Sequence, residues 1–240
     1  MKLIFIRHAD PDYAIDSLTQ KGWKEAELLA DRISKLDVKE FYVSPLGRAR
    51  DTANVVLKKM NRSAQILPWL REFEVYDEEL GKERICWDML PQDWTKIKEH
   101  YDKDLWHTAP TIKNTKASEE ANKVFQELDK LLEKHGYIRE GNIYRAVNPN
   151  TDTLVFFCHF GVKCLILGHL LGVSPVVLWH GFCALPSSVT TLVTEERREG
   201  IACFRTIGFG DVSHLYAGGE EPSFAARFCE TYDNFDERHD

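Results

Sequence analysis

TLVFFCHFGVKCLILGHLL, residues 153–171, decides the fold. Thr153 to Cys158 run apolar without alternation, as in a central parallel strand covered on both faces. From Phe160 to Leu171 the apolar character goes nearly all round, as in a buried helix. His159 stands at the junction. A histidine that closes an apolar strand and opens a buried helix must find a partner or do chemistry.

Working outward, the same strand–helix grammar repeats. Leu3–Ile6 is a short apolar run bounded by charge and reads as a buried strand ending in Arg7-His8. Thr19 is placed to cap a helix with Trp23, Ala26, Leu29 or Ala30, Ile33 and Leu36 on its apolar face. Glu40–Ser44 reads as a second strand, followed by a helix from about Leu46 to Met60. Gln65–Leu67 reads as a third strand, ended by Pro68. Ser118 to about His135 is an amphipathic helix, residues 136–152 a hairpin or loop, and Val189–Thr194 and Ile201–Thr206 two further strands separated by EERREG. Strands alternating with helices imply an α/β fold: a three-layer α/β/α arrangement with a mostly parallel sheet and helices on both faces.

Between 75 and 115 the pattern weakens, and Trp87, Trp94 and Trp106 sit among charges. This stretch reads as an insertion or lid on a single domain spanning 1–217. Its tryptophans either line a lid over a ring or, the commoner outcome, form a small core of their own. Residues 218–240 carry seven acids against two arginines, an acidic surface tail on which Phe224 and Phe228 can dock a last helix.

The chain has 240 residues and a net charge of −7, with no long basic run. Nucleic acid and anionic membranes need a basic footprint, so neither is expected as a partner. Six cysteines lie at 86, 158, 164, 183, 203 and 229 without a CxxC, which suits buried free thiols in a reducing compartment. The apolar stretch after Met1 is too short for a signal peptide and no later one reaches membrane-spanning length, so the expected location is cytoplasmic.

In an open α/β sheet the site lies at the carboxyl ends of the strands. There the chain places Arg7-His8, Ser44-Pro45-Leu46-Gly47-Arg48, Leu70-Arg71-Glu72 and His159-Phe160-Gly161. Two arginines, two histidines and a carboxylate suit phosphoryl transfer, where catalysis is mostly positioning and charge stabilisation. Each has a blander role: Arg7-His8 as a surface pair, Arg48 as a solvated side chain, Glu72, Glu74 or Asp77 as loop carboxylates, His159 as a satisfied structural histidine. Arg48 is also unfavourable beside the positive end of a helix.

Five segments occur in a telling order: IRHA (6–9), LTQKGWKEA (18–26), SPLGRARDTA (44–53), LRE (70–72) and CHFG (158–161), with GDVSHL (210–215) near the end. Together they resemble the histidine phosphatase superfamily, also called the phosphoglycerate mutase-like family, from residue 2 to about 215. The resemblance implies that His8 is the nucleophile, forming a phosphohistidine. It implies that Arg7, Arg48 and His159 bind the phosphoryl oxygens and that Glu72 donates the proton to the leaving oxygen; Ser17 and Phe160 join the substrate-binding set. No metal or other cofactor is implied. The expected substrate is a small phosphate ester or a phosphoprotein, and the expected state a monomer or homodimer. A histidine nucleophile must be neutral to attack, and two guanidiniums disfavour its charged form. His159 would be more useful protonated, a form that a phosphate dianion favours.

Three features depart from the family pattern. Ala9 stands where a glycine is usual, which requires a negative φ there. Asp10 follows, close enough to discourage a second anion unless it faces away. REFEVYDEELGKE, residues 71–83, is acidic where mutases of this family grip a second anionic group, which argues for a phosphatase. The rival readings are a phosphoglycerate mutase-type phosphotransferase, a phospho-ligand binding protein with weak catalysis, and a metal hydrolase using His8, Asp10 and Asp12 with His159 or His214.

Overall fold

The computed structural model describes residues 1–76, 85–225 and 227–236. Its strands are β1 (Lys2–Arg7), β2 (Pro11–Asp12), β3 (Ser17–Leu18), β4 (Glu40–Val43), β5 (Gln65–Ile66), β6 (Tyr137–Glu140), β7 (Ile143–Ala146), β8 (Thr153–Cys158), β9 (Val189–Arg198) and β10 (Ile201–Asp211). Its α-helices are α1 (Gln20–Ile33), α2 (Gly47–Met60), α3 (Pro91–Trp94), α4 (Ala117–Lys134), α5 (Phe160–Leu171), α6 (Pro175–Gly181) and α7 (Ser213–Ala217).

Eight strands form one sheet in the order β5-β4-β8-β1-β9-β10-β7-β6. The first four are mutually parallel. From β1 onward every neighbour is antiparallel. The expected mostly parallel sheet is therefore a mixed one, and its parallel half carries the candidate residues. The antiparallel half follows from two tight turns: the β6–β7 hairpin turns at Gly141 and the β9–β10 hairpin at Gly200, both with positive φ. β9 and β10 run well past the stretch read from sequence, because the charged EERR segment is itself strand.

Strand periodicity builds the three layers. Leu3 and Phe5 of β1 join Leu154, Phe156 and Cys158 of β8 in one core, covered by α4, α5 and α6. Ile4 and Ile6 join Val155 and Phe157 on the other face, beneath Leu29 and Ile33 of α1 and Val56 and Leu57 of α2. The central strand is buried along its whole length, as the unbroken TLVFFC run requires.

Thr19 caps α1 as expected, its hydroxyl accepting from the Gly22 amide at 3.0 Å. The register of that helix differs at one position. Trp23 is 41% exposed, whereas Glu25 is fully buried. The reason is Gly22, where a Cβ would lie 2.2 Å from the Asp10 carbonyl oxygen. That contact presses the helix against residues 9–10 through the Gly22–Glu25–Ala26 side and turns Trp23 outward.

Of the three tryptophans in the 75–115 stretch, Trp106 is buried in the main core and packs edge-on against Trp179. Trp94 stacks on His180. Beyond α7 the described residues contain no further helix, so the expected docking helix at Phe224 and Phe228 is absent there. Instead Glu220 pairs with Lys21 and Lys24 of α1 at 2.6 and 2.5 Å. Cys86, Cys158 and Cys164 are buried free thiols, while Cys183 is exposed. No described helix is long and apolar enough to cross a membrane.

Candidate active site

The parallel pairing brings the strand ends together. Arg7 is in register with Cys158, and the ladder continues past both strands, the His8 amide donating to the Cys158 carbonyl at 3.0 Å. On the other side of β8 the Ser44 amide donates to Phe157 at 2.9 Å. His8, Ser44 and His159 therefore leave the sheet side by side. The two imidazole rings lie 5.2 Å apart, centre to centre.

His8 is buried, and its Nδ1 donates to the Ala9 carbonyl oxygen at 2.8 Å. A carbonyl can only accept, so the proton of the neutral ring sits on Nδ1 and the Nε2 lone pair is free. Burial first, and then the Arg7 charge, hold this ring's pKa well below the usual histidine value. His159 is lowered as well, chiefly by burial and then by His8 and the arginines. In the free chain, then, neither ring is charged near neutral pH. The Nε2 of His159 is held by the Ser44 hydroxyl at 2.7 Å.

Both arginines are buried, and each is anchored by the same atom. Arg7 Nη1 donates to the Ala184 carbonyl at 2.6 Å. Arg48 Nη1 pairs with Asp16 at 2.7 Å. Their Nε atoms, together with Nδ1 of His159, are buried without a hydrogen-bond partner among the described residues. A buried unsatisfied donor costs roughly 1–3 kcal/mol, more when charged. Two such guanidinium atoms and a histidine ring nitrogen, on side chains gathered at one end of the sheet, have the chemistry to bind an anion.

Asp16 also resolves the awkward position of Arg48 at the start of α2. Its other oxygen accepts from the Gly47 amide at 2.6 Å, so one carboxylate caps the helix and neutralises the arginine. To reach both, Asp16 takes a positive φ of 48°, and Gly47 must be a glycine because a Cβ would lie 2.0 Å from the Asp16 carbonyl oxygen. Neither Asp16 nor the Ser44 contact emerged from sequence; Ser44-Pro45 at a strand end was the available signal for the second. The structure does not turn Ser17 toward the orphaned donors: its hydroxyl donates to Asp51 of α2 at 2.5 Å.

Glu72 lies at the start of α5. One carboxylate oxygen accepts from the Val162 amide at 3.0 Å and the Phe73 amide at 2.8 Å. The close approach demands Gly161, where a Cβ would stand 2.7 Å from that oxygen. Glu72 thus shares the α5 N-terminus with His159, and Trp87 covers it, its indole donating to the Phe73 carbonyl at 3.0 Å. Phe160 lies beside Arg7, whose guanidinium carbon is 5.9 Å from the ring centre. The alternative acid Asp77 lies outside the described residues.

Ala9 has no positive φ, which meets the condition set by the missing glycine. Asp10 faces away from His8: its carboxylate accepts from Thr19 at 2.6 Å and from Ser223 of the tail. Asp12 accepts from Ala14 on the exposed side of the hairpin. The metal-ligand set of His8, Asp10 and Asp12 is therefore not assembled, and the described residues hold no group of three His, Cys, Asp or Glu fit for a metal ion. One residue escaped sequence reading altogether. Lys163, fully buried in α5, has an amine without a hydrogen-bond partner among the described residues, 4.6 Å from the Phe209 ring centre.

Comparison with known proteins places the chain in a family. The family model described as histidine phosphatase superfamily (branch 1) matches residues 3–206. The adenosylcobalamin/alpha-ribazole phosphatase of Escherichia coli is 25% identical over 192 residues, spanning 75% of this chain and 84% of that protein. The 2,3-bisphosphoglycerate-dependent phosphoglycerate mutase of Thermoplasma acidophilum is 35% identical over 69 residues, a match that spans only 34% of its length. Among solved structures, a phosphoserine phosphatase variant from Entamoeba histolytica in complex with phosphoserine superposes with a TM-score of 0.60 at 21% identity, covering 89% of this chain and 98% of that one. A mycobacterial glucosyl-3-phosphoglycerate phosphatase superposes with a TM-score of 0.61 at 16% identity, covering 87% and 98%.

Proposed function

This chain belongs to the histidine phosphatase superfamily, branch 1, and from that premise we propose that it is a metal-independent phosphomonoester hydrolase working through a phosphohistidine on His8. The observation that carries the reading is the set of unpartnered polar atoms, Arg7 Nε, Arg48 Nε and His159 Nδ1, beside a neutral His8 with its proton on Nδ1. A phosphoryl group bound between these side chains would give each guanidinium, fixed at Nη1, an acceptor for its Nε edge.

The steps follow from that placement. Nε2 of His8 forms a bond to phosphorus as the ester P–O bond breaks in line. The charge growing on the phosphoryl oxygens is met by the two guanidiniums and by His159, which takes up a proton as the dianion enters. Glu72, in its protonated form, gives its proton to the leaving oxygen. As a carboxylate it then accepts a proton from water, whose oxygen attacks phosphorus and frees His8 and inorganic phosphate. Fixed cations perform the charge stabilisation that a metal supplies elsewhere.

A phosphatase is favoured over a mutase because the segment after Glu72 is acidic in sequence, and a mutase must hold a second anionic group. Two matches that extend over most of a relative are to phosphatases as well. A small phosphorylated metabolite is the proposed substrate. Hydrolysis of p-nitrophenyl phosphate in excess chelator tests the whole scheme. We expect activity to persist, to fall by roughly 10³-fold or more in His8→Ala, and to pass through an acid-labile, alkali-stable phosphoenzyme. Activity retained by His8→Ala, or abolished by chelation, overturns it.

A further inference from the structure

Arg7 and Phe160 also border a cavity of about 200 Å³ that the proposed chemistry leaves unused. Its other walls include four aromatic side chains from distant parts of the chain, Tyr13, Trp87, Phe182 after α6 and Phe228 of the tail, and two charged ones, Asp88 and Arg227. Tyr13, Phe182 and Phe228 are 65%, 44% and 54% exposed, so large rings crowd an opening rather than fill a core. A rim of exposed aromatic side chains around a concave space marks a binding site.

The rings are also held in place. Phe182 packs on Phe209 at 4.9 Å between ring centres. Tyr13 lies 5.4 Å from the Arg48 guanidinium carbon, Phe160 lies 5.9 Å from that of Arg7, and the Trp87 indole is tied to Phe73. Tyr13 and Phe160 thus lie beside the two arginines and also line the cavity. Arg7 borders both the proposed phosphate site and the cavity, which puts the cavity beside the group esterified to that phosphate.

We propose that this vestibule binds the leaving group, and that the preferred substrates carry a planar aromatic or heteroaromatic ring close to the phosphate. The reading rests on the phosphatase assignment above. Flat faces and positive ring edges offer stacking and edge-to-face contacts to a planar ring, contacts that a saturated ring of similar bulk lacks. The cavity is smaller than the pockets that enclose drug-sized ligands, which favours one ring system over a length of peptide or glycan.

Turnover of phenylethyl, cyclohexylethyl and ethyl phosphates separates the two ideas, since all three release a primary alcohol of similar acidity. We expect kcat/KM for the phenylethyl ester to exceed that for the ethyl ester by roughly ten-fold or more, and that for the cyclohexylethyl ester by roughly three-fold. In the Phe182→Ala/Phe228→Ala double variant both ratios should fall toward one. Equal rates on the phenylethyl and cyclohexylethyl esters, or a preference for glucose 6-phosphate, overturn the ring proposal while leaving the phosphatase reading intact. If no ester is hydrolysed, the phosphatase reading fails. Calorimetric binding of phenylethylphosphonate against ethylphosphonate then still decides the vestibule, and equal affinities refute it.

Discussion

Glu25 gives the sharpest physical test of the fold around His8. The side chain is fully buried, and burial raises its pKa from the ordinary 4.5 to about 7. One oxygen accepts from the Asp10 amide at 3.0 Å, and the other has no partner among the described residues. A carboxyl raised in this way binds its proton more tightly folded than unfolded. Its contribution to stability is therefore complete below about pH 4.5, fades as pH rises through about 7, and is then gone. A shift of that size corresponds to roughly 3 kcal/mol, or a change in Tm on the order of 10 °C for a chain of this length. Glu25→Gln keeps an acceptor for the Asp10 amide and removes the titration. The background has the opposite slope: His8 and His159, lowered in the folded state, lose stability as pH falls below the ordinary histidine value. The difference between variant and wild type isolates Glu25. Urea unfolding of both proteins between about pH 5 and pH 8, at constant ionic strength, should show the variant gaining relative to wild type by roughly 3 kcal/mol across the range. Parallel stability curves would refute a buried carboxyl that titrates near neutrality.

Two further outcomes follow from single side chains. Glu72→Ala should reduce kcat on an alkyl phosphate by roughly 10²–10³-fold, yet reduce it far less on p-nitrophenyl phosphate, whose leaving group needs no proton; equal losses on both would move the role to Glu74 or Asp77. Lys163→Met should stabilise the chain, because burial lowers this amine's pKa and the unfolded chain holds the proton more readily. The gain should be largest at low pH and shrink toward the ordinary lysine value of 10.5, so a gain that grows with pH in thermal melts would count against a reluctant buried amine.

Sequence order was enough to place the strand ends, because buried parallel strands announce themselves by unbroken apolar runs. TLVFFC and LIFI read correctly for that reason, and with them the positions of His159 and His8. What escaped depends on contacts between segments distant in sequence. Asp16 looks like any loop acid until the chain turns at positive φ and brings it to Gly47 and Arg48. Lys163 hides within a helix whose periodicity is flat, so nothing in the pattern says whether it faces water or core. Trp23 fits the apolar stripe of α1 by spacing, and only the Gly22–Asp10 contact, invisible to periodicity, turns it out. Ala9 and Asp10 looked like threats to the phosphate site, and both are neutralised locally. Alanine needs no unusual backbone there, and Asp10 is engaged by Thr19 and the tail.

In the proposed reading, the anchoring of the two arginines lets a chain of net charge −7 hold a phosphate. Nonspecific attraction is not available to it, so affinity must come from donors fixed in advance. Arg7 is held at Nη1 by a neutral carbonyl and keeps its full charge for the ligand. Arg48 is held at Nη1 by an acid, which offsets its buried charge but also weakens its attraction for an anion. Asp16 is exposed and buried Arg48 is not. Water can therefore take over Asp16 when a phosphate reaches the buried Nε edge of Arg48. The carboxylate thus lowers the cost of waiting without competing on equal terms for the donors that matter. A lysine in either place would present one compact charge and no second edge, which is why an Arg→Lys change here removes geometry along with hydrogen bonds.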